Sequence, residues 1–140
     1  MFNGPIPSVV AMLTCDQIIN EEGTNKKSLI GVFSRVNSPH FPFLVSRLAV
    51  YVKLVDTVGR YQFLLRLVNL KDESLVADVK IEADVRDPAG QAELALNMGN
   101  LPIPEAGKYE FQLYCDDVFL HRVTIEAGHL QMPGGAQWQR

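Results

Sequence analysis

The sequence predicts an all-β sandwich, and three observations carry that expectation. Apolar and polar side chains alternate with a period of two through several stretches, the pattern of strands with one dry face. Turn-forming clusters punctuate the chain roughly every 8 to 12 residues, the spacing of short strands in a sandwich. No window keeps a helical period over enough residues to form a helix. The segment Leu101–Glu126 sharpens the reading. Gly107 stands two residues before Tyr109 at the entrance of a late alternating run. That is the sequence pattern of a tyrosine corner, in which a hydroxyl bonds the backbone upstream. About eight antiparallel strands in an immunoglobulin-like sandwich are expected.

Each element follows from its own residues. Residues 1–8, with Gly4, Pro5 and Pro7, read as an extended lead-in. Val9–Ile19 reads as the first strand, with Val9, Ala11, Leu13 and Cys15 inward; the phase breaks at Asp16-Gln17-Ile18-Ile19, as at a bulge or a change of sheet. Asn20–Lys27 is a hairpin turn by composition, and Ser28–Val36 the return strand. Pro39 and Pro42 remove ladder donors, so residues 37–43 read as a crossing loop, with Phe41 and Phe43 plugging the sandwich end and a trans bond before Pro42. Arg47–Val55 and Arg60–Asn69 pair next, the first burying Leu48, Val50, Val52 and Leu54, the second Tyr61, Phe63, Leu65 and Leu67. Residues 75–84 alternate most cleanly, with Leu75, Ala77, Val79, Ile81 and Ala83 inward and a charged opposite side. Gln91–Met98 follows, Asn97–Gly107 crosses over, and Lys108–Cys115 and Val118–Glu126 close the fold around an Asp116-Asp117 turn.

Composition sets limits on partners. A chain of 140 residues with 47% hydrophobic and 21% charged side chains is globular. One domain over 1–127 is expected, followed by a flexible tail over 128–140 rich in Gly and Gln. The net charge of -3 and the absence of a Lys/Arg cluster argue against nucleic acid and against a membrane surface; no apolar run nears the roughly 20 residues that span a bilayer. The first residues lack the basic and apolar regions of a secretory signal. A cytoplasmic location is expected, with Cys15 and Cys115 as reduced, buried thiols.

The pieces Cys15-Asp16-Gln17-Ile18-Ile19, Lys27-Ser28-Leu29-Ile30-Gly31-Val32-Phe33, Phe41-Pro42, Leu48-Ala49-Val50-Tyr51 and Pro104–Phe111 together resemble a family of small prokaryotic proteins of unknown function. The resemblance spans nearly the whole chain apart from the tail. It implies an immunoglobulin-like sandwich in an intracellular protein, and it brings no activity or catalytic residues with it.

Chemistry-bearing residues are sparse. The chain has no Gly-x-Ser-x-Gly elbow, phosphate loop, Gly-x-Gly-x-x-Gly or His-Glu-x-x-His. Cys15 with His40 or His121 as base is the sharpest enzyme reading, with a small-molecule or metal site near the loop at Phe41; against it, Cys15 fits as the next inward hydrophobe after Leu13. His121 falls in phase with Phe119, Val123 and Ile125, so a half-buried sheet histidine is expected. The three histidines show no ligand spacing, and no metal or cofactor is expected. Asp116 and Asp117 could join Glu110 or Glu126 around a cation, but a tight turn explains both. A stacking platform of Tyr51, Tyr61 and Tyr114 is a third reading.

Protein contact is the leading expectation. Ala49, Tyr51 and Val55 fall in outward phase and Val76 interrupts a polar face, which together suggest a partly apolar exterior. Leu130, Met132 and Trp138 in the tail add anchor-type side chains. A non-enzymatic interaction module serving a protein partner, and pairing as a homodimer through an edge or a face, is the function expected.

Overall fold

The computed structural model describes residues 5–130. Within them nine strands run in order: β1 (Ser8–Asn20), β2 (Lys27–Val32), β3 (Arg35–Ser38), β4 (Phe43–Val55), β5 (Gly59–Asn69), β6 (Ser74–Val85), β7 (Ala92–Ile103), β8 (Gly107–Cys115) and β9 (Val118–His129). They form two stacked sheets. Sheet A has the order β2-β1-β4-β7 and sheet B the order β3-β9-β8-β5-β6. The pairings are antiparallel, apart from the parallel β3–β9 contact. The expected all-β sandwich is therefore the fold.

Alternation builds the core as the sequence dictates. Leu48, Val50, Val52 and Leu54 of β4 face Tyr61, Phe63, Leu65 and Leu67 of β5, joined by Phe111 and Leu113 of β8 and Ile125 of β9, all buried in one cluster. Tyr109 is fully buried at the entrance of β8. Its hydroxyl donates to the Glu105 carbonyl at 2.6 Å and accepts from the Glu105 N–H at 3.2 Å. That is the expected tyrosine corner, pinning the β7–β8 connection to the core. Buried Asn69 secures the same corner through its amide to Glu105 Oε2 at 2.9 Å.

Bulges account for most departures from the expected phases. In β1 the register slips between Val9 and Ala11. Val9 and Met12 therefore pack on the core, while Leu13, expected inward, is turned out. In β5–β6 a slip beside Val68 turns Leu75 outward and sends Val76 onto the core instead. In β8–β9 a slip between Leu113 and Tyr114 gives Leu120 the inner position and leaves His121 exposed rather than half-buried. A bulge adds one residue on one strand and so reverses which side follows, which alternation alone does not announce.

Three connections also differ. The expected single strand 28–36 is two, because the chain leaves sheet A after Val32 and joins sheet B as β3. The expected crossover 97–107 is largely strand: β7 continues to Ile103, paired with Phe43–Val45. Pro102 is tolerated there because β7 is an edge, where a missing N–H costs no ladder bond. The Phe41–Pro42 bond is cis, not trans. Finally, the sandwich runs past the expected boundary at 127. Gly128 and His129 belong to β9 and pair with Asn37 and Ser38, and Leu130 N–H donates to the Ser38 carbonyl at 2.8 Å. Gly128 has a packing role, since a side chain there would overlap the Arg35 guanidinium that lies across it to reach Glu126 at 2.8 Å.

Candidate interaction face

The outer faces of the two sheets are built differently, and the difference begins at Asp16. The β1–β4 ladder ends at Cys15 opposite Ala49, whereas β1 and β2 continue as a two-stranded hairpin through Gln17–Asn20 and Lys27–Ile30. If that hairpin stayed in the plane, the registers would carry Asn20 and its partner Lys27 towards Leu44 and Pro102. Pro102 lies nine residues along β7 from Glu93, about 30 Å at roughly 3.3 Å per residue. Lys27 Nζ nevertheless sits 3.4 Å from Glu93 Oε1. The hairpin is therefore folded back across the outer face of sheet A. Gly31 makes the bend possible: its φ of 68° lies in the left-handed region, and a Cβ there would overlap the Asp16 carboxylate.

Beneath the hairpin lies a second, small apolar cluster. Cys15, Ile18 and Ala49 are buried together, with Leu29 and Tyr51 packed on them. The Cys15 thiol donates to the Gln17 carbonyl at 3.5 Å, and burial pushes its pKa up. Tyr51 donates its hydroxyl to Glu93. Burial, then the Glu93 hydrogen bond and charge, push the Tyr51 phenol up to about 12. The Tyr51 hydrogen bond, with Lys27 assisting, holds Glu93 below the usual carboxylate range. Glu93 thus links Tyr51 within sheet A to Lys27 of the hairpin.

The outer face of sheet B carries no such cover among the described residues. Arg66 and Val68 of β5, Glu110, Gln112 and Tyr114 of β8, and Arg122 of β9 line a hollow of about 410 Å³, with Leu70 and Glu73 at its rim. Val68 forms an apolar floor, buried although outside the main core. A polar chain crosses the hollow: Tyr114 donates to Gln112 Oε1 at 3.4 Å, Gln112 donates to Glu110 Oε1 at 2.9 Å, and Arg122 Nε lies 3.7 Å from Glu110. Arg66 sits 6.0 Å over the Tyr114 ring, and Phe119 packs edge-on to the same ring at 5.6 Å. Phe119 is half exposed. Aromatic side chains and Arg on a rigid surface are the composition of an interface centre.

The expected surface residues do not form one patch. Ala49 is fully buried and Tyr51 fastened, both under the hairpin. Val55 ends β4 opposite Ser8, Val76 packs on the core, and half-buried Leu130 follows β9. Met132 and Trp138 lie outside the described residues. The outward apolar phase of β4 is thus real, but the chain's own hairpin fills it. The enzyme constellation is likewise dispersed: Cys15 is under the hairpin on sheet A, His40 is exposed in the β3–β4 loop, and His121 is exposed on β9 of sheet B. Cys115 is buried in the main core, its thiol pushed up to about 12 by burial. Among the described residues no group of three or more His, Cys, Asp and Glu is arranged to hold a metal. Asp116 and Asp117 take the left-handed conformations of a tight turn, at φ 45° and 72°; Glu110 and Glu126 pair with Thr124 and Lys108, further down the β8–β9 hairpin. The three tyrosines separate too, since Tyr61 is in the core and Tyr51 and Tyr114 are on opposite sheets. The hollow on sheet B was missed because most of its residues are polar and they come from three strands and the β5–β6 turn; Tyr114 in outward phase was its one visible signal.

The architecture is that of an immunoglobulin-like β-sandwich, with its tyrosine corner and a parallel strand closing the second sheet. The chain belongs to a family of unknown function (DUF6941), whose model matches residues 10–128. Among solved structures it is similar to the CARDB domain of the PF1109 protein from Pyrococcus furiosus, in complex with di-metal ions. The two share 14% identity over 93% of this chain and 99% of that one, with a TM-score of 0.45. No curated protein matches.

Proposed function

We propose that the chain is a non-enzymatic, cytoplasmic interaction module that pairs with a second copy of itself through the outer face of sheet B. The observation that supports this reading is the uncovered hollow lined by Arg66, Tyr114 and Arg122, with half-exposed Phe119 packed edge-on to the Tyr114 ring. Its charges favour a like partner: two Arg and two Glu line it. A two-fold interface apposes one patch to itself and therefore needs both signs within that patch. The Tyr114–Phe119 pair supplies apolar area beside these charges, and the sheet holds these side chains with little ordering cost. Two free, buried thiols suit a reducing compartment.

Sedimentation velocity across a concentration series tests the pairing. Wild type is expected to self-associate. Tyr114→Ala is expected to weaken the dimer about thirtyfold, the size of a typical aromatic anchor at an interface. Arg66→Glu with Arg122→Glu, which makes the patch wholly acidic, is expected to abolish it while leaving the circular dichroism of the sandwich intact. A wild-type monomer at the highest concentration reached, or a dimer indifferent to both variants, overturns the proposal.

A further inference from the structure

We propose that residues 17–30 are a hinged strap, which swings off the outer face of sheet A about Asp16 and Gly31 while both sheets stay folded, and that this opening is how solvent reaches Cys15. The hinge is visible in the backbone. Pairing with β4 stops at Cys15, one residue before Asp16, and Gly31 opposite it takes a left-handed conformation that fits no regular strand. On the body side of the hinge the chain is tied down: Phe33 N–H donates to the Thr14 carbonyl at 3.0 Å, and the Thr14 hydroxyl donates to the Phe33 carbonyl at 2.5 Å. Among the described residues the fastenings of the strap to the sheet are few. They are the side chains of Ile18 and Leu29 on Ala49 and Tyr51, the Lys27–Glu93 ion pair, the Gln17–Arg47 hydrogen bond at 3.3 Å, and the hydrogen bond from the Cys15 thiol to the Gln17 carbonyl at 3.5 Å.

Local opening requires a segment that rests on fewer contacts than the body it covers. The strap meets that condition. Its cluster holds three buried residues, whereas the main core unites twenty, and its internal β1–β2 hydrogen bonds travel with it. Cys15 and Cys115 are both fully buried, yet they sit under different covers. Cys15 is under the strap and Cys115 is between the sheets. The two thiols therefore report two different events within one molecule.

Thiol labelling of the full chain under native conditions, read by mass spectrometry at one fixed pH, separates these events. Cys15 is expected to label measurably in buffer, at a rate nearly independent of low urea, since opening the strap exposes little surface. Cys115 is expected to label only through global unfolding, with a steep urea dependence. Glu93→Gln removes the ion pair and should speed Cys15 about fivefold; Leu29→Ala should speed it about thirtyfold by removing strap packing. Neither should bring Cys115 labelling into the native range. Labelling of both thiols in step, a shared urea dependence, or variants that accelerate the two equally would overturn the hinge. So would a Cys15 that stays silent in every variant until the protein unfolds.

Discussion

Ala49 at the centre of β4 and Thr124 on β9 both point away from the space between the sheets, yet Ala49 is fully buried and Thr124 exposed. The contrast is between a face the chain covers itself and a face it leaves open. Sheet A lies beneath its own folded-back hairpin, held by Ile18, Leu29 and Lys27. Sheet B instead shows Arg66, Tyr114, Phe119 and Arg122 to solvent around a floor of Val68. An apolar side chain in outward phase marks a surface that needs covering, and the cover can come from the same chain.

The largest expected effect breaks this contrast directly. Ala49→Lys puts an ammonium where the strap lands, so the strap must lift or the charge must be buried unpaired. Burial of an unpaired charge is costly enough that lifting wins. The loss of stability is then capped by the strap's own contacts, at about 2 to 4 kcal/mol by analogy with removing buried aliphatic groups. Thr124→Lys on the open face should stay within about 0.5 kcal/mol of wild type. Urea unfolding of the two variants makes the comparison. Equal losses would mean that the two outer faces are not differently covered.

An effect of middling size concerns the bend that makes the cover possible. Gly31→Ala asks an L-residue to hold φ 68° and places a methyl group against the Asp16 carboxylate. The combined cost is expected at about 1 to 3 kcal/mol. The two components separate in a double-mutant cycle, because Asp16→Ala removes the overlap but not the backbone strain. Gly31→Ala should cost less in the Asp16→Ala background by at least about 0.5 kcal/mol. Strict additivity, measured by denaturant midpoints, would place Asp16 away from the bend and weaken the account of why the hairpin folds back.

How legible this was in the sequence follows from the same residues. The sheets and the tyrosine corner were visible, since β4, β5 and β8 alternate without interruption and Gly107 precedes Tyr109 at a strand entrance. Alternation is a local signal of one dry side, and for β4 it correctly placed Ala49 and Tyr51 outward. It carries no information about what covers that side. The cover depends on a bend at Gly31 and a contact between Lys27 and Glu93, 66 residues apart in the chain. The bulges at Val10, Val76 and Leu120 were hidden for a related reason: each reverses a phase through one extra residue whose type is ordinary for a strand. The disturbed phase at Asp16–Ile19 was the one trace of the fold-back in the text of the chain. The open hollow left less still, because Arg66, Gln112 and Arg122 become neighbours only through the pairing of β5, β8 and β9.

The smallest expected effect sharpens the comparison by pH. Glu93 is held below the ordinary carboxylate range, first by the Tyr51 hydroxyl and then by Lys27. A carboxyl whose folded pKa is depressed adds stability that is full above its unfolded value, about 4.3, and is lost as pH falls through the folded value. Tyr51 acts at the other end. Its folded pKa is raised to about 12, so its contribution is full below the ordinary phenol value of about 10 and fades as pH rises from there. The linked set of Tyr51, Glu93 and Lys27 should thus be intact across roughly pH 5 to 9 and weaken outside it. Partial exposure of Glu93 keeps the effect below about 1 kcal/mol. Measured as the stability of wild type minus that of Glu93→Gln, the difference should be positive and flat at neutral pH and fall away as the pH drops below the unfolded carboxyl value of about 4.3. Measured against Tyr51→Phe, it should shrink above about pH 10. A Glu93→Gln difference that persists unchanged in acid would mean that the carboxylate charge is not what fastens the strap, leaving the apolar contacts of Ile18 and Leu29 and the Gln17–Arg47 hydrogen bond to hold the covered face.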